Sequence, residues 1–281
     1  MKSLSHNIDP VEVTPSQPGG GVSLVQFSDL HLHDNPAETL LGVNTDVSFS
    51  AVVQLAKHNH WSPDLVLVTG DMVHSGSVAG YRKLLRQLQQ LRSDTFCLPG
   101  NHDMPSNMHQ VLNAGKVSTK RVITAGAWTI VMLDSTVPGQ EGGALSLDEI
   151  QLLDKVLQQH RDSYVLVALH HPPNSVGCTW LDSMALANPE DLFEVIDRHR
   201  HVRCVLNGHV HQHHQVIRNN VMYLSSPSTC VQFKPQCDQF AVDTRTPGYR
   251  WMRLQANGSI RTGINRLDQL PADIDIAASG Y

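Results

Sequence analysis

The chain has 281 residues, 41% hydrophobic and 17% charged, a globular composition that excludes wholesale disorder and a coiled coil. Its 21 Lys and Arg against 26 Asp and Glu leave a net charge of −5, so there is no basic excess to hold a nucleic-acid backbone. With 17 histidines and only 5 cysteines, imidazole chemistry is favoured over thiol chemistry.

Residues 1–21 are rich in Pro, Gly and Ser and read as a loose lead-in, without the continuous apolar segment of a signal peptide. Val22–Phe27 is a first strand, and Asp46–Lys57 a helix with Val47, Ala51 and Leu55 at helical spacing. Asp64–Thr69 is short, aliphatic and bounded by Pro63 and Gly70, the signature of a buried strand. Ala79–Leu91 is helical, Thr95–Leu98 and Thr129–Leu133 are strands, and Ser146–Gln159 is a helix capped by Ser146 with Glu149 three residues on. Strand Tyr164–Leu169, helix Glu190–His199 and strands Arg203–Leu206 and Val221–Leu224 follow. Phe240 to Ile264 reads as two or three strands with a turn at Asn257-Gly258. The alternation predicts an α/β class and one domain over residues 22–265, with a tail at 266–281. Cys97, Cys178, Cys204, Cys230 and Cys237 are odd in number and irregularly spaced, which predicts reduced thiols rather than disulfides or a thiolate zinc site. No apolar run approaches the roughly 18 residues that span a bilayer, so a soluble, cytoplasmic chain without a membrane partner is expected.

The polar residues of interest sit where predicted strands end. They are Asp29-Leu30-His31, Gly70-Asp71, Gly100-Asn101-His102-Asp103, His170-His171-Pro172 and Gly208-His209-Val210-His211. Singly each is weak: Gly-Asp ends many strands as a plain turn, and Gly-Asn-His-Asp reads equally as one, since Asn and Gly tolerate left-handed backbone. Together they describe loops converging beyond the carboxyl ends of strands, where sites form in open α/β sheets. Asp, Asn and His supply oxygen and imidazole ligands, which suit Mn, Fe, Co, Ni or Zn. If Asp29-x-His31 and His209-x-His211 are extended, residues i and i+2 face the same centre.

This ordered set resembles the calcineurin-like metallophosphoesterase superfamily. Leu41–Thr45, Gly177–Asp182, Pro227–Pro235 and Pro247–Arg250 further resemble segments of the bacterial class III 3′,5′-cyclic AMP phosphodiesterases. The resemblance implies a four-layer α/β/β/α sandwich of two mixed sheets flanked by helices. It implies a first metal on Asp29, His31, Asp71 and His211, and a second on Asp71, Asn101, His170 and His209, with Asp71 bridging. It implies two ions, iron or manganese first, with Zn, Co or Ni as alternatives. His102 is the implied catalytic non-ligand, and substrate is expected to meet His31, Asp71, Asn101, His102 and His211. His170 is preferred to His171 because the family pattern is His-x-Pro, and the first His-x-His pair is preferred to His213. His33, His74 and His109 are expected to be solvated, and Val73-His74 departs from a family that often places an Asp there.

The implied activity is hydrolysis of 3′,5′-cyclic AMP to 5′-AMP by hydroxide bridging the two ions. The site's local positive charge would outweigh the distant net charge. A neutral-pH imidazole such as His102 suits protonation of the leaving ribose oxygen, or a hydrogen bond to phosphate. The same fold acting on another phosphodiester, a phosphomonoester or a nucleotide-sugar pyrophosphate is the alternative. A small cyclic nucleotide, not nucleic acid, is the expected partner, and the chain is expected as a monomer or homodimer.

Overall fold

A computed structural model describes residues 9–16, 19, 21–60 and 62–280. The first elements are β1 (Val11–Val13), β2 (Val22–Phe27), α1 (Thr45–His60), β3 (Leu65–Thr69), α2 (Val78–Gln89), β4 (Asp94–Leu98), α3 (Pro105–Val111) and β5 (Val117–Ser118). Next come β6 (Val122–Ala125), β7 (Trp128–Met132), α4 (Leu147–Gln159), β8 (Tyr164–Ala168), α5 (Thr179–Asp182) and α6 (Pro189–Asp197). The chain closes with β9 (Val202–Asn207), β10 (His214–Arg218), β11 (Val221–Ser225), β12 (Gly248–Leu254) and β13 (Ile260–Arg266).

Two mixed sheets form, in the orders β1-β6-β7-β8-β9-β11-β10 and β13-β12-β2-β3-β4-β5. Strand alternation divides the aliphatic residues between two faces. In β3, Leu65 and Leu67 pack between the sheets against Ile130 and Leu166. Its Val66 and Val68 pack outward against Phe49 and Val52 of α1 and Leu84 and Leu88 of α2. In β8, Leu166 and Ala168 face the inter-sheet core, while Val165 and Val167 face Leu153 of α4 and Ile196 of α6. The result is the expected four layers, α/β/β/α.

Parallel pairing of β2, β3 and β4 in one sheet, and of β8 and β9 in the other, sends their carboxyl ends the same way within each sheet. The sheets are stitched together there: Gln26 Nε2 donates to Thr69 Oγ1 at 2.8 Å and to the Asn207 carbonyl at 3.2 Å. Ser146 caps α4 as expected, accepting from Glu149 N. The Glu149 carboxylate also receives the Asp134 N–H at 2.9 Å and the Arg121 guanidinium.

One expectation changes. The lead-in is not loose throughout, because Val11–Val13 pairs in parallel with β6, Val11 opposite Ile123. Residues 1–8, 17, 18 and 20 of that lead-in lie outside the described residues. The tail is two strands, β12 and β13, with the turn at Asn257-Gly258 between them, and Phe240–Pro247 is irregular. After β13, Ile274 and Ala278 rest on a small cluster around Leu40, Val43 and Val231. All five cysteines are free thiols. Among the described residues, no helix is long and apolar enough to cross a membrane.

Candidate metal centre

The five motif loops meet on one rim. Asp29 N donates to the Gly70 carbonyl at 3.1 Å and His31 N to the Asp71 carbonyl at 2.8 Å, so the first two loops run side by side. Gly208 N reaches the His170 carbonyl at 3.1 Å, and His209 N donates to Asp29 Oδ1 at 3.0 Å. The extended reading of Asp-x-His and His-x-His is wrong. Asp29, His31, Asp71, His209 and His211 have φ of 54°, 47°, 50°, 69° and 49°, in the left-handed region. Each such turn costs on the order of 1 kcal/mol in a non-glycine residue and persists only where surroundings over-determine it. Two flanking glycines give the necessary room. A Cβ on Gly70, φ 90°, would lie 2.2 Å from His170 Nδ1, and one on Gly208 would lie 2.0 Å from Ser28 Oγ.

The side chains form two adjoining groups. In the first, His31 Nε2 lies 3.2 Å from His211 Nε2 and 3.7 Å from Asp71 Oδ2, and His211 Nε2 lies 3.6 Å from Asp29 Oδ1. In the second, Asn101 Oδ1 lies 3.2 Å from His170 Nε2 and 3.1 Å from His209 Nδ1, and His170 Nε2 is 3.3 Å from Asp71 Oδ2. Asp71 Oδ2 therefore faces both groups, while Asp71 Oδ1 accepts the His102 N–H at 2.9 Å. Asp29, His31, Asp71, His170, His209 and His211 are buried, and Asn101 and His102 half-buried at the mouth.

Ring nitrogens turned away from the centre are held. His211 Nδ1 faces the Val231 carbonyl at 2.7 Å and His170 Nδ1 the Thr69 carbonyl at 2.8 Å. A histidine ligating through Nε2 has its Nδ1–H anchored in this way. His171 is also buried among these rings, but its nitrogens face Ser135 Oγ at 2.8 Å and the Glu141 carbonyl at 3.1 Å. His170 Nε2 faces Asn101 and Asp71, whereas both His171 nitrogens have other partners, although His171 also brings a ring nitrogen within 4.8 Å of those of His170 and His209. His213 is exposed. His109 faces Thr119 Oγ1 at 2.8 Å, and His33 is paired with Glu38 at 3.3 Å. His33 and His74 correct the expectation of solvated residues: both are half-buried, and the His74 ring stacks on His102, centroids 4.9 Å apart. Asp103 joins the loops from beneath, its carboxylate accepting from Met72 N, Val73 N, Gly100 N and the Tyr81 hydroxyl.

Burial dominates the protonation of this cluster. It pushes Asp29 up to about 7, helped by Asp71 and opposed by His170. It pulls His211 down to about 3 and holds His31 and His209 well below the ordinary imidazole range. His170 is the exception: Asp71 and Asp29 outweigh burial and lift it to about 9. Asp71 is held well below the carboxylate range because His170 and His31 outweigh its own burial. His170 is thus the one ring of the cluster shifted toward its charged form, so the buried carboxylates of Asp29 and Asp71 have little positive charge beside them. Two polar atoms, Asp29 Oδ2 and His209 Nε2, are buried with no hydrogen-bond partner among the described residues. This donor set, oxygen and imidazole with no thiolate, fits divalent transition-metal ions.

Beside the cluster is a cavity of about 190 Å³ whose lining includes Asn101, His102, Glu141 and His209 together with Trp180, Phe233 and Phe240. The three aromatic rings contact one another edge-on or obliquely at 5.1–5.5 Å. Trp180 and Phe233 come from Gly177–Asp182 and Pro227–Pro235, segments conspicuous in the sequence but without an assigned role. Phe240 carries no sequence signal.

The calcineurin-like phosphoesterase model matches residues 22–213. The chain belongs to that family. Phosphoesterases of this family are metal-dependent hydrolases that bind two metal ions. A 3′,5′-cyclic-nucleotide phosphodiesterase of a Nostoc species is 39% identical over 259 residues, 92% of this chain and 97% of that one. The Escherichia coli K12 3′,5′-cyclic adenosine monophosphate phosphodiesterase CpdA is 38% identical over 261 residues, covering 92% and 95%. A dimetal phosphatase from Danio rerio superposes with a TM-score of 0.58 at 16% identity, covering 88% and 99%, a likeness that speaks for the fold alone. The span matched to the phosphoesterase family contains all five motifs and Trp180, whereas Phe233 and Phe240 lie beyond it.

Proposed function

We propose that this phosphoesterase hydrolyses 3′,5′-cyclic AMP to 5′-AMP. The observation that carries the reading is the cavity itself, where polar residues of the His/Asp cluster and an aromatic wall border one space. A cyclic nucleotide has these two ends, an anionic phosphodiester and a flat base. Relatives similar over nearly their whole length are named for cyclic-nucleotide cleavage.

Asp29, His31, Asp71 and His211 would hold one ion, and Asp71, Asn101, His170 and His209 the other, with iron or manganese suited to the donors. Such a pair would supply activation of a water nucleophile at neutral pH and charge neutralisation at the phosphate. The protein's own contributions are orientation and proton transfer. Val231 and Thr69 carbonyls fix the rings of His211 and His170. His102 lines the cavity with Nδ1 3.3 Å from the His74 carbonyl, so its Nε2 is the nitrogen for substrate. It donates a proton to the ribose 3′-oxygen as the bond to phosphorus breaks, giving the 5′-monophosphate. The wall of Trp180 and Phe240 receives the base by stacking.

The test is a substrate panel at matched concentration with manganese-loaded protein: cyclic AMP, cyclic GMP, glycerophosphodiesters, phosphomonoesters and nucleotide-sugar pyrophosphates. The reading expects cyclic AMP to be turned over to 5′-AMP, and Asp71→Ala to abolish that turnover together with metal retention. Preference for a monoester or pyrophosphate, or release of 3′-AMP, would contradict it.

A further inference from the structure

We propose that His74 is a positioning residue of the metal centre, accepting the Nδ1 proton of His31 and buttressing His102 with its ring. The inference rests on the reading of Asp29, His31, Asp71 and His211 as a cation site.

His31 turns Nε2 toward Asp71 and His211, so a His31 that ligates through Nε2 carries its proton on Nδ1. For His170 and His211 the equivalent proton goes to a backbone carbonyl. His31 Nδ1 instead meets an imidazole, His74 Nδ1, at 3.4 Å. Two protonated nitrogens cannot face each other at that distance. His74 must therefore present a lone pair at Nδ1, which places its proton on Nε2.

A side-chain acceptor needs support that a backbone carbonyl does not, and His74 has it. His74 N donates to the Leu32 carbonyl at 3.1 Å, inside the Leu32–Val73 bridge that aligns the two loops. On one flank its ring contacts His33, centroids 4.7 Å apart. It also lies nearly parallel to His102, centroids 4.9 Å apart and planes 23° apart. The His74 carbonyl is 3.3 Å from His102 Nδ1, so a single residue meets His102 both through its ring and through its backbone. His74 thus couples a ligand of one ion to the histidine that faces substrate.

The experiment titrates manganese(II) into the full metal-stripped chain against a chelator of known affinity, with thermal unfolding of the metal-free protein recorded alongside. His74→Phe keeps an aromatic ring but has no acceptor; His74→Leu has neither; His74→Asn restores an acceptor oxygen. The expected result is two manganese ions per wild-type chain and a ten- to hundredfold loss of affinity at one site in His74→Phe and His74→Leu. The second site should be unchanged, and His74→Asn should recover most of the loss. Wild-type affinity in both His74→Phe and His74→Leu would overturn the proposal. So would equal weakening of both sites, or a loss in His74→Asn as large as in His74→Phe. A wild-type chain that binds no manganese would remove the metal centre itself, a failure distinct from intact two-site binding that ignores residue 74.

Discussion

The imidazole of His211 lies flat on the phenyl ring of Phe233, centroids 4.2 Å apart and planes 12° from parallel. The same phenyl ring meets Trp180 edge-on at 5.1 Å, so the aromatic wall of the cavity is continuous with a candidate metal ligand. If the wall grips a base, Trp180→Ala should raise KM for cyclic AMP about tenfold, the loss of one base–aromatic stack. Cleavage of methyl p-nitrophenyl phosphate, which lacks a nucleobase, should change less than about threefold. Steady-state kinetics on the two substrates check this, and equal losses would place Trp180 in the general framework instead.

His102 donates its backbone N–H to Asp71 Oδ1 at 2.9 Å. His102→Ala should therefore keep near-normal metal content while slowing diester cleavage. An acid role predicts a larger kcat loss for alkoxide-leaving cyclic AMP than for a p-nitrophenyl leaving group, which needs no proton. Metal analysis and paired kcat values give the result, and equal losses on both substrates would leave His102 as a hydrogen-bond donor only.

The protonation pattern fixes the pH dependence of metal binding. His170, lifted to about 9, is protonated at neutral pH, and a ligating imidazole must be neutral. If His170 is a ligand, loading should release a proton, and apparent affinity should rise with pH and level off above about 9. Asp29, pushed up to about 7, adds further proton release when loading is done below neutrality. Calorimetric titration of manganese in two buffers of different ionisation enthalpy, from pH 6 to 10, measures the release. No release at pH 7.5 would contradict the assignment of His170.

Far from the site, Asp64 fastens the N-terminal segment to the sheet. Its carboxylate accepts from Ser23 N at 2.7 Å, Ser23 Oγ at 2.9 Å and Ser16 N at 2.6 Å. Burial alone would raise its pKa, but these hydrogen bonds win and lower it. A carboxylate with a lowered folded value contributes stability above its unfolded pKa near 3.9 and loses it as pH falls through the folded value. Asp64→Ala should cost about 1–3 kcal/mol at pH 7, and the gap from wild type should shrink in acid below about pH 4. Urea melts at pH 7 and pH 3 check both halves.

Much of the architecture was legible because buried strands leave a strong mark. Leu65–Thr69 and Tyr164–Ala168 are aliphatic on both faces, and their ends carry the motif residues. β10 escaped because His214–Arg218 is an edge strand with no buried residue, so its sequence lacks a core face. α3 escaped because its seven residues bury only Met108, too little for helical periodicity to register. At the site, the five polar motifs were readable from residue type and order and the family resemblance implied seven candidate ligands among them, but the left-handed turns at Asp29, His31, Asp71, His209 and His211 were not legible. Nothing local in an Asp or His announces that conformation; contacts from distant loops impose it. His74 escaped for the same reason, since its neighbours His31 and His102 are far from it in sequence.

The measurement closest to the central claim is anomalous diffraction from crystals of the manganese-loaded chain. The account predicts two peaks, one contacting Asp29, His31, Asp71 and His211, the other Asp71, Asn101, His170 and His209. A single peak, peaks elsewhere, or His171 in place of His170 as a ligand would contradict it.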